Sequence, residues 1–347
     1  MCSAAHTSSI ERPSDGPAAL AEKVAQLREL CGPGDEAIET HFAWIFLIGD
    51  RALKLRKPVH RGTMDYRSID LRRVDSEEDV RLNRRLAPDV YLRTLPLVRR
   101  ADGRITPGGI GEIVDWLVEM RRLDRRWFLD AALERGDVSE PMLARVADML
   151  AAFYASAPPA ISGPGEIGPR IAAQATDNAR VIETLDAPRA ALLARLQRLA
   201  LAALEPVLEA RAAGGCIVEG HGDLRPEHIL VSDPSAVIDC LEFDRDLRIM
   251  DRAEELCVLE IECARIGHAA TGTWLLGACL ARLRDQATAA LLDFYRSHRA
   301  AHRAKLNAWR SAEPDDGSPQ DWRSRAAGYL DSALESARRA SRQRRFG

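Results

Sequence analysis

The sequence has no long hydrophobic run: nowhere do about 18 uncharged apolar residues follow one another, which excludes a membrane-spanning helix. It also lacks a GxxxxGK[ST] segment, and so has no P-loop to cradle phosphates. None of the seven cysteines, Cys2, Cys31, Cys216, Cys240, Cys257, Cys263 and Cys279, forms a CxxC pair. Most sit in apolar stretches, where a thiol behaves as a small hydrophobe, and this usage points to a reducing cytosol. Residues 1–17 carry no positive region followed by an apolar core, so no secretory signal is expected. Internal repeats are absent. The pattern GxGxxG does occur at Gly163, Gly165 and Gly168, but it follows Pro158 and Pro159 rather than a strand, which makes it a linker.

What is present is the composition of a globular protein: 347 residues, 46% hydrophobic and 29% charged, enough for two lobes with buried cores. A formal net charge of -3 gives no general attraction to nucleic acid or to a membrane surface. The five arginines between Arg338 and Arg345 read as a solvated helix end, with a basic interaction tail as the other reading.

The period of the apolar residues changes along the chain. Helical spacing over 19–31 gives way to three short strands at 38–41, 44–48 and 52–55, then to a charged helix over 69–86 stopped by Pro88. Strands at 90–98 and 113–120, with 109–111 between them, complete a small antiparallel sheet. Beyond Arg121 the pattern is helical, at 141–155, 173–185, 190–212, 251–267, 274–287, 289–309 and 321–343, broken by a hairpin at 217–238. The expected fold is α+β and bilobal: a polar tail and helix over 1–35, a small antiparallel-sheet lobe over 36–121, and a mainly helical lobe over 122–347 that holds the hairpin.

The hairpin carries the chemistry. In Gly220-His221-Gly222-Asp223-Leu224-Arg225-Pro226-Glu227-His228, a loop Asp follows the apolar stretch 216–218, and Asp239 follows the buried-looking 236–238. A loop Asp can orient and deprotonate an attacking hydroxyl, a residue five positions on can hold a metal, and a second Asp after a short strand can bridge metal and phosphates. Asp223 is therefore the candidate catalytic group, with Asp239 and His228 as candidate metal ligands. A kinase catalytic loop carries Asn where His228 stands. Imidazole suits Mn2+ better than Mg2+, so either Mn2+ supports turnover at least as well as Mg2+ or only one metal binds strongly; the other reading is a histidine simply hydrogen-bonded beneath the hairpin. Asp251 opens a helix as an N-cap and can also brace the loop.

Lys54 lies mid-strand on the face opposite Leu53 and Leu55, suited to reach nucleotide phosphates. Glu78, sharing a helix face with Leu82 and Leu86, is the expected ion-pair partner, with Glu77 as the fallback and Lys57 as an alternative lysine. Glu119, Met120 and Arg121 end the last strand, where backbone groups of a hinge would meet adenine. On the acceptor side two versions stand. One is a basic row of Tyr295, Arg299, His302, Arg303 and Lys305; the other is an acidic pocket from 242–246 with Glu254, Glu255 and Glu260.

The block from His221, Gly222 and Asp223 through Asp239 and Asp251 resembles the HGDxxxxN…D…D pattern of the aminoglycoside phosphotransferase family, within the protein-kinase-like superfamily that includes choline and fructosamine kinases. The resemblance covers about 38–305. Glu39-Thr40-His41 to Lys57-Pro58-Val59, with Glu77-Glu78 to Leu86-Ala87-Pro88, is similar to the phosphotransferase half of bacterial proteins fused to an ATP-binding domain. The resemblance implies ATP-dependent phosphorylation of a small-molecule hydroxyl acceptor, with Mg2+ or Mn2+ as cofactor, Asp223 as the catalytic Asp, Asp239 and His228 at metal positions, and Lys54 and Glu78 at the nucleotide; the cysteine usage and charge above add the expectation of a cytoplasmic protein without nucleic-acid or membrane partners. His228 in place of Asn, and the missing Gly-rich loop between the first strands, leave a nucleotide-binding pseudokinase as the alternative. A metal-dependent hydrolase using His221, Asp223, His228 and Asp239 is the third reading.

Overall fold

The computed structural model describes residues 16–62, 64–160, 163, 165–312 and 319–342. Residues 1–15 of the expected tail, Pro164 of the GxGxxG stretch, and Arg344 and Arg345 of the basic cluster lie outside them. The chain divides into two compact units, Met1–Arg125 with Val237–Arg245, and Arg126–Ala236 with Asp246–Gly347.

The first unit begins with α1 (Pro17–Arg28), which has Pro17 at its first position, where a missing N–H costs nothing. Strands β1 (Glu36–Glu39), β2 (Ala43–Ile48) and β3 (Arg51–Arg56) follow, then the two-residue strands β4 (His60–Arg61) and β5 (Met64–Asp65). Helix α2 (Ile69–Asn83) starts at Ser68, whose hydroxyl accepts the Leu71 N–H. Strands β6 (Tyr91–Arg99), β7 (Ile105–Pro107) and β8 (Glu112–Arg121) complete a six-stranded antiparallel sheet of order β1-β2-β3-β8-β6-β7. The stretch expected at 109–111 is therefore displaced to β7.

Alternation along the strands sorts the two faces of this sheet. Phe46, Leu53, Leu55 and Leu117 point to the side covered by Val24 and Leu27 of α1 and form the unit's core. Complete burial of Phe46 and Leu55 contributes about 2 kcal/mol each. Lys54, paired in register with Ile45 and Val118, consequently faces the other way. Both α1 and α2 are tied down through buried Asp115, which takes Lys23 Nζ at 2.9 Å and Arg72 Nε at 2.8 Å. Residues 17–28, expected as part of a separate tail, thus belong to the sheet unit.

The second unit is helical: α3 (Leu129–Arg135), α4 (Glu140–Ser156), α5 (Ile167–Ile182) and α6 (Ala187–Ala213) precede β9 (Ile217–Glu219). The short strands β10 (Ile229–Leu230) and β11 (Ala236–Val237) lead out of it, and β12 (Ile249–Asp251) returns to pair antiparallel with β9. Then come α7 (Arg252–Arg265), α8 (Ala269–Arg282), α9 (Ala289–Ser311) and α10 (Pro319–Arg342). Ala300, Ala301 and Ala304 of α9 face Ala333 and Ala337 of α10, so small side chains let these helices approach closely around Ile182, Leu193 and Leu330. No disulfide links the described cysteines. No helix among the described residues is long and apolar enough to cross a membrane.

The expected boundary at 121/122 placed 237–245 in the helical lobe. That segment belongs instead with the sheet unit, because Asn83, Tyr91 and Arg56 all bind it.

Candidate active site

The loop between β9 and β10 lies in the second unit. Gly222 takes φ 90°, a left-handed conformation that glycine adopts without steric cost. The Glu255 carboxylate, buried on α7, accepts the His221 N–H at 3.0 Å, the Gly222 N–H at 2.5 Å and the Tyr154 hydroxyl at 2.8 Å. This fixes the backbone immediately before Asp223. A Cβ on Gly220 would stand 2.1 Å from Glu255 Oε2, so the loop needs glycine there for close approach.

Asp223 is a quarter exposed and surrounded by cations: Arg225 Nε is 3.0 Å from Oδ2, and Arg303 Nη1, from α9, is 3.6 Å from Oδ1. Burial works to raise its pKa, but Arg225, His228, Arg303 and His221 prevail and hold it at about 2. At neutral pH the group is an ionised acceptor.

His228 does not have the ligand role expected of it. Its Nε2 lies 2.8 Å from Arg225 Nη2, and its Nδ1 lies 2.9 Å from the Asp223 carbonyl oxygen. A guanidinium can only donate, so Nε2 must accept and Nδ1 must carry the proton it gives to Asp223 O. Both ring nitrogens are engaged in holding the loop, and no lone pair is left for a metal. The argument for Mn2+ falls with it.

Asp251 is the N-cap of α7, accepting the Ala253 N–H at 2.8 Å, and it pairs with Arg211 Nη2 at 2.7 Å and the Tyr295 hydroxyl at 2.9 Å. Its capping role holds; Glu255 is the brace. Several members of both versions of the acceptor lining are engaged in internal ion pairs. Arg299 is spent on Glu254 at 2.7 Å and Lys305 on Asp177 at 2.9 Å, while Glu260 takes Arg296 at 2.6 Å. Burial and the neighbouring cations Lys305, Arg299 and Arg303 keep His302 well below the usual histidine range. Of the basic row, Arg303 reaches the Asp223 carboxylate, and it is anchored there by Glu262 at 2.8 Å.

The candidate lysine lies in the first unit. Lys54 Nζ is 2.9 Å from Asp79 Oδ2 and 3.7 Å from Asp239 Oδ1. Glu78 is not the partner: it turns outward to Arg81 at 2.6 Å, and Glu77 pairs with Arg73 at 2.9 Å. One residue along α2 rotates the side chain by about 100°, and Asp79 is the residue that faces the sheet. Asn83 Nδ2 donates to Asp79 Oδ1 at 2.7 Å, while its Oδ1 accepts the Cys240 N–H at 2.9 Å.

Asp239 sits at φ 62°, a left-handed conformation uncommon outside glycine, and its side chain is 54% exposed. The Tyr91 hydroxyl accepts its N–H at 3.1 Å. Among the described residues no three His, Cys, Asp or Glu side chains converge into a metal cage. The donor set nevertheless suits Mg2+, which is bound through one or two carboxylates plus phosphates. Within this unit Asp239, Asp79, Asp75 and Glu242 gather around Lys54 and Arg56, and Asp239 is the most exposed of the four.

The hinge residues occupy ladder positions: Glu119 pairs in register with Leu53 and Met120 with Ala52. Glu119 holds Arg93 at 2.6 Å. The Arg121 N–H is donated to Val90 O at 2.9 Å, so this donor, expected to meet adenine, is committed to the chain that follows α2.

No family model matches the chain. Uncharacterized proteins of Mycobacterium tuberculosis and Mycobacterium bovis are 31% identical over 290 residues, which cover 81% of this chain and 56% of theirs. The chain thus spans about half the length of the curated relatives it matches. Among solved structures, a choline/ethanolamine kinase family protein from Mesorhizobium loti aligns over 94% of this chain and 99% of its own, with TM-score 0.56 and 16% identity. A choline kinase from Cryptosporidium parvum aligns over 92% and 96%, with TM-score 0.53 and 11% identity. The GDP complex of wild-type aminoglycoside 2'-phosphotransferase-IIIa aligns over 91% and 97%, with TM-score 0.51 and 15% identity. The fold is protein-kinase-like. That is the architecture the HGD block implied, and in it β3, α2 and the β9–β10 loop are the elements that carry Lys54, Asp79 and Asp223.

The sequence singles out Asp223, Asp239 and Lys54 as candidates, and names Arg303 and Glu255 only as members of the two acceptor-side versions; Asp79 and Arg225 carry no role in it. For Asp79 a signal was available: Arg72, Ser76, Asp79 and Asn83 recur at helical spacing and are all buried.

Proposed function

We propose that the chain is a phosphotransferase that moves the γ-phosphoryl group of ATP to a hydroxyl of a small molecule. The observation that carries this reading is Asp223: an ionised carboxylate at the open edge of a loop whose backbone is held by buried Glu255. In the first unit Lys54, oriented by Asp79, would bind nucleotide phosphates. A divalent cation, when bound, would be held by Asp239 with those phosphates and would offset the charge that develops on them. In the second unit Asp223 would accept the acceptor's hydroxyl hydrogen and fix the oxygen's approach. As the O–P bond forms and the β–γ bridging bond breaks, the hydroxyl proton passes to Asp223, leaving ADP and a phosphate ester. A carboxylate held at about 2 is a weak base, so its contribution is mainly orientation, which suffices for a loose transition state with little early proton transfer.

A nucleotide-binding pseudokinase is the second reading, favoured by two observations: His228 has no lone pair to offer a metal, and the Arg121 N–H is already donated. An ADP-release screen over aminoglycosides, sugars, amino alcohols and nucleosides decides between the two when run with Asp223→Asn alongside. Because a structural neighbour was solved as a GDP complex, the screen includes GTP. Turnover with one acceptor class that disappears in Asp223→Asn supports the kinase; thermal stabilisation by nucleotide with no product across the panel supports the pseudokinase.

A further inference from the structure

Asp239 sits on a segment that the rest of the first unit ties down, and Arg56 is at the centre of the ties. Strand alternation places Arg56 on the same face of β3 as Lys54, two residues on. Its guanidinium, 2% exposed, spreads over three carboxylates. Nε lies 2.5 Å from Asp75, a close ion pair without hydrogen-bond alignment; Nη2 lies 2.9 Å from Asp79, and Nη1 2.7 Å from Glu242. The cation also packs on the Tyr66 ring, 5.0 Å from its centroid. Glu242 follows Asp239 by three residues. One planar fork therefore joins the strand of Lys54, the helix of Asp79 and the loop of Asp239, a task for which the compact ammonium of lysine is poorly shaped. The Tyr91 and Asn83 bonds hold the backbone of this loop at Asp239 and Cys240, and the Arg56–Glu242 pair adds a charged tie one turn of chain later.

We infer that Arg56 is a positioning residue: by clamping Glu242 it fixes segment 237–245 against the Lys54–Asp79 pair, and so sets how tightly Asp239 holds a divalent cation. The inference rests on the reading of Asp239 as a cation-holding group. Partners of metal-binding side chains typically change metal affinity about 10- to 100-fold when replaced, because they fix the ligand's orientation.

Arg56→Ala would remove the cation shared by Asp75, Asp79 and Glu242 and can prevent folding, so the test uses Glu242→Asp and Glu242→Gln in the full chain. Glu242→Asp keeps the charge and withdraws it by one methylene; Glu242→Gln keeps the length and removes the charge. Two quantities are measured: hydrogen exchange of the Asp239 and Cys240 amides in nucleotide-free protein, and Mn2+ affinity by electron paramagnetic resonance in the presence of ADP. The clamp predicts faster exchange at both amides in both variants, with Mn2+ binding weakened about tenfold or more. Unchanged exchange and affinity in Glu242→Asp overturns the inference, and so does weakening confined to Glu242→Gln, which would make Glu242 a source of charge rather than position. A wild-type protein that binds no Mn2+ with ADP would sink the cation-site reading itself, and the exchange rates would then still decide whether Arg56 clamps the segment.

Discussion

Glu255 offers the sharpest quantitative test of the loop that carries Asp223, because three donors converge on one buried carboxylate. Replacing it by Gln keeps the shape but turns one acceptor oxygen into a donor. If the amide nitrogen takes the Oε2 place it meets both the His221 N–H and the Tyr154 hydroxyl; at the Oε1 place it meets only the Gly222 N–H, which is the cheaper choice. The Gly222 N–H is then left facing another donor, at a cost of about 1–3 kcal/mol, and the two surviving bonds lose their charged acceptor, about 1 kcal/mol between them. Part of this is recovered, since burial raises the Glu255 pKa and the neutral amide escapes that desolvation. The expected net loss is about 2 kcal/mol. Tyr154→Phe, which removes one donor and leaves the carboxylate its two backbone partners, should cost about 1 kcal/mol. Gly220→Ala should cost about 3 kcal/mol, because its Cβ would overlap Glu255. Gly220→Ala and Glu255→Gln share one contact, so their effects should fall short of additive. Urea unfolding followed by tryptophan fluorescence measures the three single variants, the double variant and the wild type. A Glu255→Gln protein within about 0.5 kcal/mol of wild type, or additive losses in the double variant, would refute the view that this carboxylate holds the loop.

The remaining expectations concern the charges around the site. Lys54→Ala and Asp79→Asn should each raise the nucleotide KM by about tenfold or more, whereas Glu78→Ala should leave it unchanged; steady-state kinetics that reversed Asp79 and Glu78 would restore the pairing expected from sequence. The folded pKa of Asp223 is about 2, below the ordinary value near 3.9, so its ionised form favours the fold above about pH 4 and that contribution is lost as pH falls toward 2. A profile of kcat/KM between pH 5 and 8 should therefore show no acid limb that Asp223→Glu displaces. Asp75 behaves in the opposite sense. Burial, with help from Glu242 and Asp79, pushes its carboxyl up to about 7 against the pull of Arg56, so its contribution to stability is complete below about pH 4 and is lost as pH rises through 7. Unfolding free energies measured from pH 4 to 8 should fall less steeply in Asp75→Asn than in wild type. Finally, His228→Ala should loosen the loop and slow turnover, yet leave the ratio of Mg2+- to Mn2+-supported rates as it was, since the imidazole offers the metal nothing.

How much of this was legible in the sequence depends on the range of the interactions. The order of strands and helices followed from periodicity, because β1, β2, β3 and α2 each have a local signature within a residue or three of the expected bounds. What periodicity could not supply were the pairings across many residues. Of strand β12 the sequence assigns only Asp251, as the start of a helix, for Ile249, Met250 and Asp251 become a strand only by meeting β9 some thirty residues earlier. The site divides the same way. Asp223, Asp239 and Lys54 sit in local motifs, while Arg303 reaches Asp223 from a helix eighty residues further on, where it looks like one more arginine in a basic row.

The error at Glu78 has a physical cause that reaches beyond one residue. The face of α2 was chosen by its leucines, on the rule that the apolar stripe of a helix points inward. Here the inward stripe is polar: Arg72, Ser76, Asp79 and Asn83 are all buried. Arg72 meets Asp115, Asp79 meets Lys54 and Arg56, and Asn83 meets the backbone of Cys240. Leu71 and Val74, meanwhile, are exposed. A helix whose work is to orient a charge packs its charged face against the sheet, since a buried carboxylate needs partners more than a leucine needs cover. The partners were visible in pairs: Lys54 and Arg56 two apart on a strand, Asp75 and Asp79 four apart on a helix, each spacing placing both members on one face. Two cations and two carboxylates that can each share a face are a stronger indication of contact than a leucine stripe, and they select Asp79 without a structure.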